Sequence, residues 1–156
     1  WLNKRWPMEH FSTLVKLLAA QFADVHFAIL GGDDDKSLGE TLVAAAPNRC
    51  LNLSGQTSLL EMVEWLRLSE VLVTNDTGPM HVAAALGKPV VAMFGPTEPH
   101  RTGPFGQLER VLQHPLPCAP CMSSRCNYVK PLECLNAISP AEVFERTRRI
   151  LEEAKS

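Results

Sequence analysis

Two short clusters of small and polar residues are the segments best suited to binding a ligand. One, at 76–78, follows the apolar segment 71–73, and the other, at 95–97, follows the apolar segment 89–94. A helix-like segment separates the two, which is the pattern of a strand–helix–strand unit in a parallel sheet. Both clusters are therefore expected at the carboxyl ends of strands, where such sheets bind ligands.

The first cluster has the chemistry to bind a phosphorylated sugar. The first backbone N–H groups of a helix attract phosphate, and Gly78 allows the chain to approach one closely. Asp76 supplies a carboxylate that accepts hydrogen bonds from sugar hydroxyls. The chain contains neither G-x-G-x-x-G nor a P-loop sequence, so dinucleotide and P-loop sites are not predicted. The residues alone predict an α/β domain that binds a phosphorylated or hydroxylated small molecule.

Four of the five cysteines form a second group, spaced Cys118-x2-Cys121-x4-Cys126-x7-Cys134. Clustered thiols in a chain without a secretory signal favour a metal over disulfides. The spacing differs from that of a standard zinc ribbon, and the prolines and serines between the thiols favour a loop. Two interpretations stay open: a structural metal site, with zinc as the candidate ion, and a loop of reduced thiols.

The periodicity of apolar residues predicts the elements that position these groups. The predicted order is that of an α/β domain, a parallel sheet with helices on both faces. Prolines keep most of 97–139 in loops, including a Cys- and Pro-rich loop at about 115–138. Predicted helices cover 7–22, 38–46, a segment capped by Thr57 or Ser58, the segment after Gly78, and 140–154; predicted strands cover 25–30, 50–53, 71–73, 90–94 and 110–112.

Composition narrows the classes of function. At 156 residues, 46% of them hydrophobic, the chain is long enough for one globular domain with a core. A formal net charge of −2 gives no electrostatic reason to expect nucleic acid or an anionic membrane as a partner. No apolar run is long enough to cross a bilayer, and the first residues lack the apolar core of a signal peptide. We therefore expect a cytoplasmic protein.

Several short motifs are distributed along nearly the whole chain. They are K-x-W-P at 4–7, G-Q-T-S-L-x-E at 55–61, D-T-G-P-M-H at 76–81, A-A-A-L-G-x-P at 83–89, F-G-P-T-x-P at 94–99 and T-G-P at 102–104. Together with the cysteine-rich loop, they closely resemble glycosyltransferase family 9, the ADP-heptose:lipopolysaccharide heptosyltransferases of Gram-negative bacteria.

The resemblance implies a GT-B fold, in which two Rossmann-like domains face each other across a cleft. Residues 1–156 correspond to the C-terminal half, which binds the nucleotide-sugar donor, ADP-heptose, without a required cofactor. The catalytic base and the lipid A-core acceptor site belong to the N-terminal domain of the family, so no catalytic residue is expected here. By the same resemblance, this half alone is inactive, and the full enzyme is peripheral at the inner membrane.

The resemblance also implies roles for particular residues in donor binding. Lys4 corresponds to the family lysine that contacts the donor phosphates. Thr77 and Gly78 offer backbone N–H groups to the diphosphate, and Asp76 holds hydroxyls of the heptose. His81 belongs to the same motif and is expected to take part in binding.

Further donor contacts come from other strand ends. Thr57 corresponds to a position that touches the adenosine part, and Thr97 approaches the donor from the next strand. A family glutamate that holds the ribose has no clear match, and Asp35 is its candidate substitute. His100 and Arg101 either add positive charge near the phosphates or face solvent.

Three other functions stay open. One is a non-catalytic module that keeps the nucleotide-sugar site for another purpose. Another is a family 9 glycosyltransferase that uses a different donor sugar. In the third, the cysteine loop is a metal-stabilised surface for interaction with a partner. The exact sugar and acceptor are not encoded in any pattern identified above.

Overall fold

The computed structural model describes residues 1–155, in which helices and strands alternate along the first two thirds of the chain. The helices are α1 (Met8–Gln21), α2 (Lys36–Ala45), α3 (Leu59–Leu68), α4 (Gly78–Ala85), α5 (Pro99–Thr102), α6 (Glu133–Asn136) and α7 (Pro140–Glu153). The strands are β1 (Phe27–Ile29), β2 (Cys50–Asn52), β3 (Leu72–Asn75), β4 (Val90–Met93) and β5 (Val111–Leu112). The predicted α/β class with parallel strands and flanking helices is confirmed.

Some local details differ from the prediction. The three aspartates at Asp33–Asp35 form a 3-10 turn that leads directly into α2, so α2 begins two residues earlier than expected. The proline-rich part of the chain also contains three unpredicted single turns: α5, α6 and a 3-10 turn at Leu108–Arg110. These turns are too short to produce the repeating apolar pattern from which helices are recognised.

The strands form two parallel sheets, whereas a single sheet was predicted. β1 pairs with β2, and a second sheet has the order β3-β4-β5. A cavity of about 1410 Å³ is lined by residues of both β1 and β3. The periodicity of apolar residues predicts where strands occur but not which strands pair with each other. The division into two sheets was therefore not predicted. Helix α1 packs against both α2 and α7, and buried side chains of this helix belong to one core cluster with side chains of β1 and β4.

Strand β4 lies at the centre of the core, and all four of its residues are buried. Val91 and Met93 pack towards α1 and α7, whereas Val90 and Ala92 pack towards α3 and α4. Alternate side chains of a strand point to opposite faces, so both faces of β4 are covered by helices. The loop that follows this rigid strand, starting at Gly95, is therefore held firmly.

Capping residues define where two of the helices begin. Ser58, rather than Thr57, caps α3: its hydroxyl accepts a hydrogen bond from the Glu61 N–H at 3.3 Å, and the Glu61 carboxylate accepts one from the Ser58 N–H at 2.7 Å. Ser139 and Glu142 form the same reciprocal pair at the start of α7, as such capping boxes do. No helix within 1–155 is long and apolar enough to cross a membrane.

Candidate functional site

The segment before α1 is anchored to the end of β3 by Trp6. The indole of Trp6 is buried in the core, and its Nε1–H donates to the Ile138 carbonyl at 2.9 Å. The backbone N–H of Trp6 donates to the side-chain oxygen of Asn75, the last residue of β3, at 2.9 Å. These two bonds fix the preceding residues against the carboxyl end of β3. As a result, Lys4 reaches Asp76.

Lys4, Asp76 and Thr97 form one hydrogen-bonded network at the carboxyl ends of β3 and β4. Asp76 Oδ2 accepts from Lys4 Nζ at 2.6 Å and from Thr97 Oγ1 at 2.7 Å. The Asp76 side chain is 7% exposed and that of Lys4 is 23% exposed. Within residues 1–155, Asp76 Oδ1 accepts no hydrogen bond, and an ammonium group has three donors. The network therefore keeps an acceptor and further donors for a ligand, and Lys4 offsets the negative charge of Asp76.

The N-terminus of α4 lies directly beside this network. Thr77 is the N-cap residue, but its side chain makes no capping hydrogen bond; its hydroxyl lies 3.1 Å from that of Thr74. Thr77 and Gly78 are exposed, and a Cβ added to Gly78 would meet no atom within 4 Å. Pro79 lacks an N–H, so the uncapped donors at this helix end are few and open to solvent.

The other predicted side chain of α4, His81, is exposed. Its ring has no hydrogen-bonding or ionic partner in residues 1–155. His100 and Arg101 of α5 are also exposed, and their side chains have no hydrogen-bonding or ionic partner in the same part of the chain. A binding role for these three residues stays a prediction.

Asp35 lies after β1, in the turn that leads into α2. Its Oδ1 pairs with Arg5 Nη2 at 3.0 Å, and its Oδ2 accepts from the Gly32 N–H at 3.1 Å. Thr57 is half-buried and precedes α3. Asp35 and Thr57 line the same cavity as Lys4 and Asp76. Predicted donor-binding residues that follow β1, β2 and β3 thus line one cavity, whereas Gly78, His81 and Thr97 do not line it.

The cysteine-rich loop covers the end of β4. Its Met122 N–H donates to the Pro96 carbonyl at 2.8 Å, and the side chain of Gln113 donates to the Thr97 carbonyl at 2.8 Å. A Cβ added to Gly95 would lie 3.0 Å from Cys134 Sγ. The loop therefore packs against Gly95 and Pro96, and Gln113, just before the loop, holds the Thr97 carbonyl.

The thiols of this loop are free and have different surroundings. Burial raises the pKa of Cys134, and the neighbouring thiols Cys126, Cys118 and Cys121 add to that effect. Backbone N–H groups lower the pKa of Cys126; one of them, from Leu132, lies 3.3 Å from its sulfur. Within 1–155, no group of three or more His, Cys, Asp or Glu side chains is arranged to hold a metal ion. Of the two interpretations left open for this loop, the structural metal site therefore gains no support.

Sequence reasoning missed the residues that hold the site together. Arg5 pairs with Asp35, Asn75 accepts from Trp6, and Asn3 donates to the Ser123 carbonyl of the cysteine-rich loop at 2.7 Å. The sequence points to these residues only through their positions next to Lys4 and Asp76. Contacts between distant segments leave no periodic pattern from which they could be predicted.

A family model for glycosyltransferase family 9 (heptosyltransferase) matches residues 1–131. The chain belongs to this family. It is 37% identical over 114 residues to lipooligosaccharide heptosyltransferase 2 of Haemophilus influenzae, which is 70% of this chain and 32% of that protein. It is 38% identical over 114 residues to lipopolysaccharide heptosyltransferase 2 of Salmonella typhimurium, with the same coverage. The chain thus spans about a third of the length of these relatives.

Solved heptosyltransferases share the fold. E. coli ADP-heptose lps heptosyltransferase II superimposes with a TM-score of 0.80 at 30% identity, over 99% of this chain and 44% of that one. E. coli heptosyltransferase WaaC, solved with ADP, superimposes with a TM-score of 0.66 at 23% identity, over 97% of this chain and 40% of that one. These neighbours are GT-B enzymes, so the resemblance to family 9 and the predicted fold class are both confirmed.

Proposed function

We propose that the chain is the donor-binding half of a heptosyltransferase, which transfers heptose from ADP-heptose to the lipopolysaccharide inner core. The observation that carries the proposal is the Lys4–Asp76–Thr97 network beside the open N-terminus of α4. The ammonium group and the backbone N–H groups suit a diphosphate, and the adjacent carboxylate suits the hydroxyls of a sugar joined to it. WaaC binds ADP in one structure and ADP-2-deoxy-2-fluoro heptose in another, which supports the choice of donor.

The chemistry of the transfer explains why these groups are adjacent. Cleavage of the bond between the sugar and the diphosphate leaves a growing negative charge on the phosphate oxygens. The Lys4 ammonium stabilises that charge, and so does the positive end of α4. Asp76 accepts hydrogen bonds from sugar hydroxyls through its open Oδ1. Because Lys4 neutralises Asp76, the carboxylate holds the sugar without repelling the diphosphate.

The remaining predicted residues have supporting parts in this proposal. Thr97 orients Asp76 through the bond between their side chains. Thr57 borders the cavity where the adenosine part would bind, and Asp35 lines the same cavity from the turn between β1 and α2. His81 lies on α4 beside the diphosphate end and is proposed as a further contact to the donor.

We assign no catalytic base to this chain. An acceptor hydroxyl attacks from the side opposite the diphosphate, so its base must lie beyond the donor. We propose that the rest of the enzyme supplies that base and the site for the lipid A-core. Relatives from Gram-negative bacteria favour a cytoplasmic enzyme of such a bacterium, working at the inner membrane where its acceptor lies.

Calorimetric titration with ADP tests the proposal. We expect the chain to bind ADP weakly and to transfer no heptose by itself, since half of the cleft is contributed elsewhere. Lys4→Met should weaken ADP binding about 10-fold to 100-fold, the value of a hydrogen bond to a charged group. Lys16→Met removes an exposed lysine of α1 and should change nothing. Absence of ADP binding at millimolar concentration would contradict the site.

A further inference from the structure

Two neighbouring residues of the cysteine-rich loop bond to the segments on either side of the candidate site. The Met122 N–H donates to the Pro96 carbonyl at 2.8 Å, and the Ser123 carbonyl accepts from Asn3 Nδ2 at 2.7 Å. Asn3 and Pro96 each come directly before a residue that donates to the carboxylate of the network. The loop is therefore bonded next to both donors of the network.

The side chain of Asn3 is buried, although it is polar. Asn3 is 6% exposed, and within residues 1–155 its Oδ1 has no hydrogen-bonding partner. Burying an amide costs free energy unless its groups are hydrogen-bonded, so an apolar side chain would fill this space at lower cost. The bond from Nδ2 to the loop is what distinguishes Asn3 from such a side chain. That bond attaches the segment before α1 to the loop.

The loop presents the accepting carbonyl from a restrained backbone. Met122 has φ +50°, a left-handed conformation that residues other than glycine seldom adopt and that persists where surrounding contacts fix it. The Ser123 hydroxyl donates to the Arg125 carbonyl at 2.8 Å and accepts from the Arg125 N–H at 3.2 Å. Backbone conformation before the carbonyl and a local turn after it therefore fix its position.

Lys4 lies between two attached residues. Asn3, directly before it, is bonded to the loop, and the N–H of Trp6, two positions after it, donates to Asn75 at 2.9 Å. A lysine side chain loses much rotational freedom when its ammonium group is held in one place. A backbone fixed on both sides lowers the remaining cost of keeping Lys4 Nζ at Asp76.

We propose that Asn3 is a positioning residue, which attaches the backbone beside Lys4 to the cysteine-rich loop and so holds the ammonium group where the donor diphosphate binds. The inference rests on the proposed function for the identity of that ligand. It gives the loop a task that its backbone performs at Met122 and Ser123. The thiols, which are free, have no part in it.

Three variants test the attachment. Asn3→Leu keeps a side chain of similar size and removes the bond to the loop. Ser123→Ala loosens the same attachment from the loop side, and it removes only the two short-range bonds to Arg125 from a half-buried position. Asn136→Leu is the matched control, because the exposed Asn136 also donates from Nδ2 to a carbonyl, that of Pro131, at 3.2 Å. Circular dichroism and melting temperature show whether each variant folds.

The first measurement needs no nucleotide. The Lys4 side chain is 23% exposed, whereas Lys16 is exposed, so the rate of acetylation by acetic anhydride at Lys4 relative to Lys16 reports how well Lys4 is held. Mass spectrometry follows both rates. Asn3→Leu should raise the relative rate at Lys4 about 3-fold to 10-fold, the value of one neutral hydrogen bond. Ser123→Ala should raise it less, and Asn136→Leu should leave it unchanged.

The second measurement is the affinity of each variant for ADP, by calorimetry. Asn3→Leu should weaken ADP binding about 3-fold to 10-fold, which is part of the loss expected for Lys4→Met. Ser123→Ala should weaken it less. Asn136→Leu should bind ADP as the unaltered chain does.

The two measurements separate failure of the inference from failure of the proposed function. If Asn3→Leu folds and acetylation of Lys4 is unchanged, Asn3 does not position Lys4 and the inference is wrong. If acetylation rises but ADP affinity stays the same while Lys4→Met loses it, the inference is again wrong and the proposed function stands. Equal changes in Asn136→Leu would make the effect a general loss of stability.

Two further outcomes are also decisive. If Asn3→Leu does not fold, the same two measurements on Ser123→Ala decide the inference, and unchanged values in both would overturn it. If the unaltered chain binds no ADP at millimolar concentration, the proposed function fails, and a role for Asn3 in holding the donor diphosphate fails with it.

Discussion

The Lys4–Asp76–Thr97 network and the loop that carries four cysteines meet at the end of β4, yet their polar groups are used differently. In the network, Lys4 and Thr97 both donate to the same carboxylate oxygen of Asp76, at 2.6 and 2.7 Å. Lys4 lies 72 positions from Asp76 in the chain, and Thr97 lies 21 positions from it. In the loop, chemically reactive side chains are close in sequence, but their thiols are free and unequally buried. The comparison shows that a candidate binding site forms where the sheet brings together polar side chains from distant parts of the chain. Reactive side chains that are merely close in sequence do not form one.

The largest effect is expected from Asp76→Ala, which removes the centre of the network. It leaves the Thr97 hydroxyl buried and unpaired and Lys4 without its counter-charge. We expect the free energy of unfolding to fall by about 2–3 kcal/mol, measured by urea denaturation. Asp24→Ala is the control, because it breaks the exposed Asp24–Lys155 ion pair, and such pairs contribute little. An equal loss of unfolding free energy in the two variants would show that the network stabilises the fold no more than an exposed ion pair does.

A smaller effect is expected within the cysteine loop, and it should follow burial. Cys134 is 8% exposed and packs against Gly95, whereas Cys121 is exposed. Cys134→Ser places a hydroxyl in an apolar site and should cost about 1–2 kcal/mol of unfolding free energy. Cys121→Ser should stay within about 0.5 kcal/mol, and neither should abolish ADP binding. A loss of ADP affinity from Cys121→Ser at unchanged stability would make the loop part of the site.

The smallest perturbation is chemical labelling of the thiols. Backbone N–H groups lower the pKa of Cys126, whereas burial raises the pKa of Cys50 and Cys134. The thiolate is the reactive form, so iodoacetamide near neutral pH should modify Cys126 before Cys50 and Cys134, as followed by mass spectrometry. Protection of all four loop thiols until a chelator is added would instead show that they bind a metal, against the free-thiol arrangement seen here.

The end of each strand was predictable because apolar runs and the polar residues after them are local features. Asp76 and Thr97 follow β3 and β4 for that reason. The contact between Asp76 and Lys4 was not predictable from the local pattern. Lys4 is brought to Asp76 by the burial of the nearby Trp6, and both lie far from Asp76 in the sequence. The pairing of β1 with β2 in a sheet separate from β3 was likewise not visible in the local pattern. These features depend on which surfaces meet.

The most direct test of the donor site compares ADP with ADP-heptose in one variant. Calorimetry on the unaltered chain and on Asp76→Ala, under conditions where circular dichroism shows both to be folded, gives four affinities. Because Asp76 is assigned to the sugar and Lys4 to the diphosphate, Asp76→Ala should weaken ADP-heptose binding about 10-fold or more and leave ADP binding nearly unchanged. An equal loss for both ligands would contradict the account and reduce Asp76 to a support of the fold.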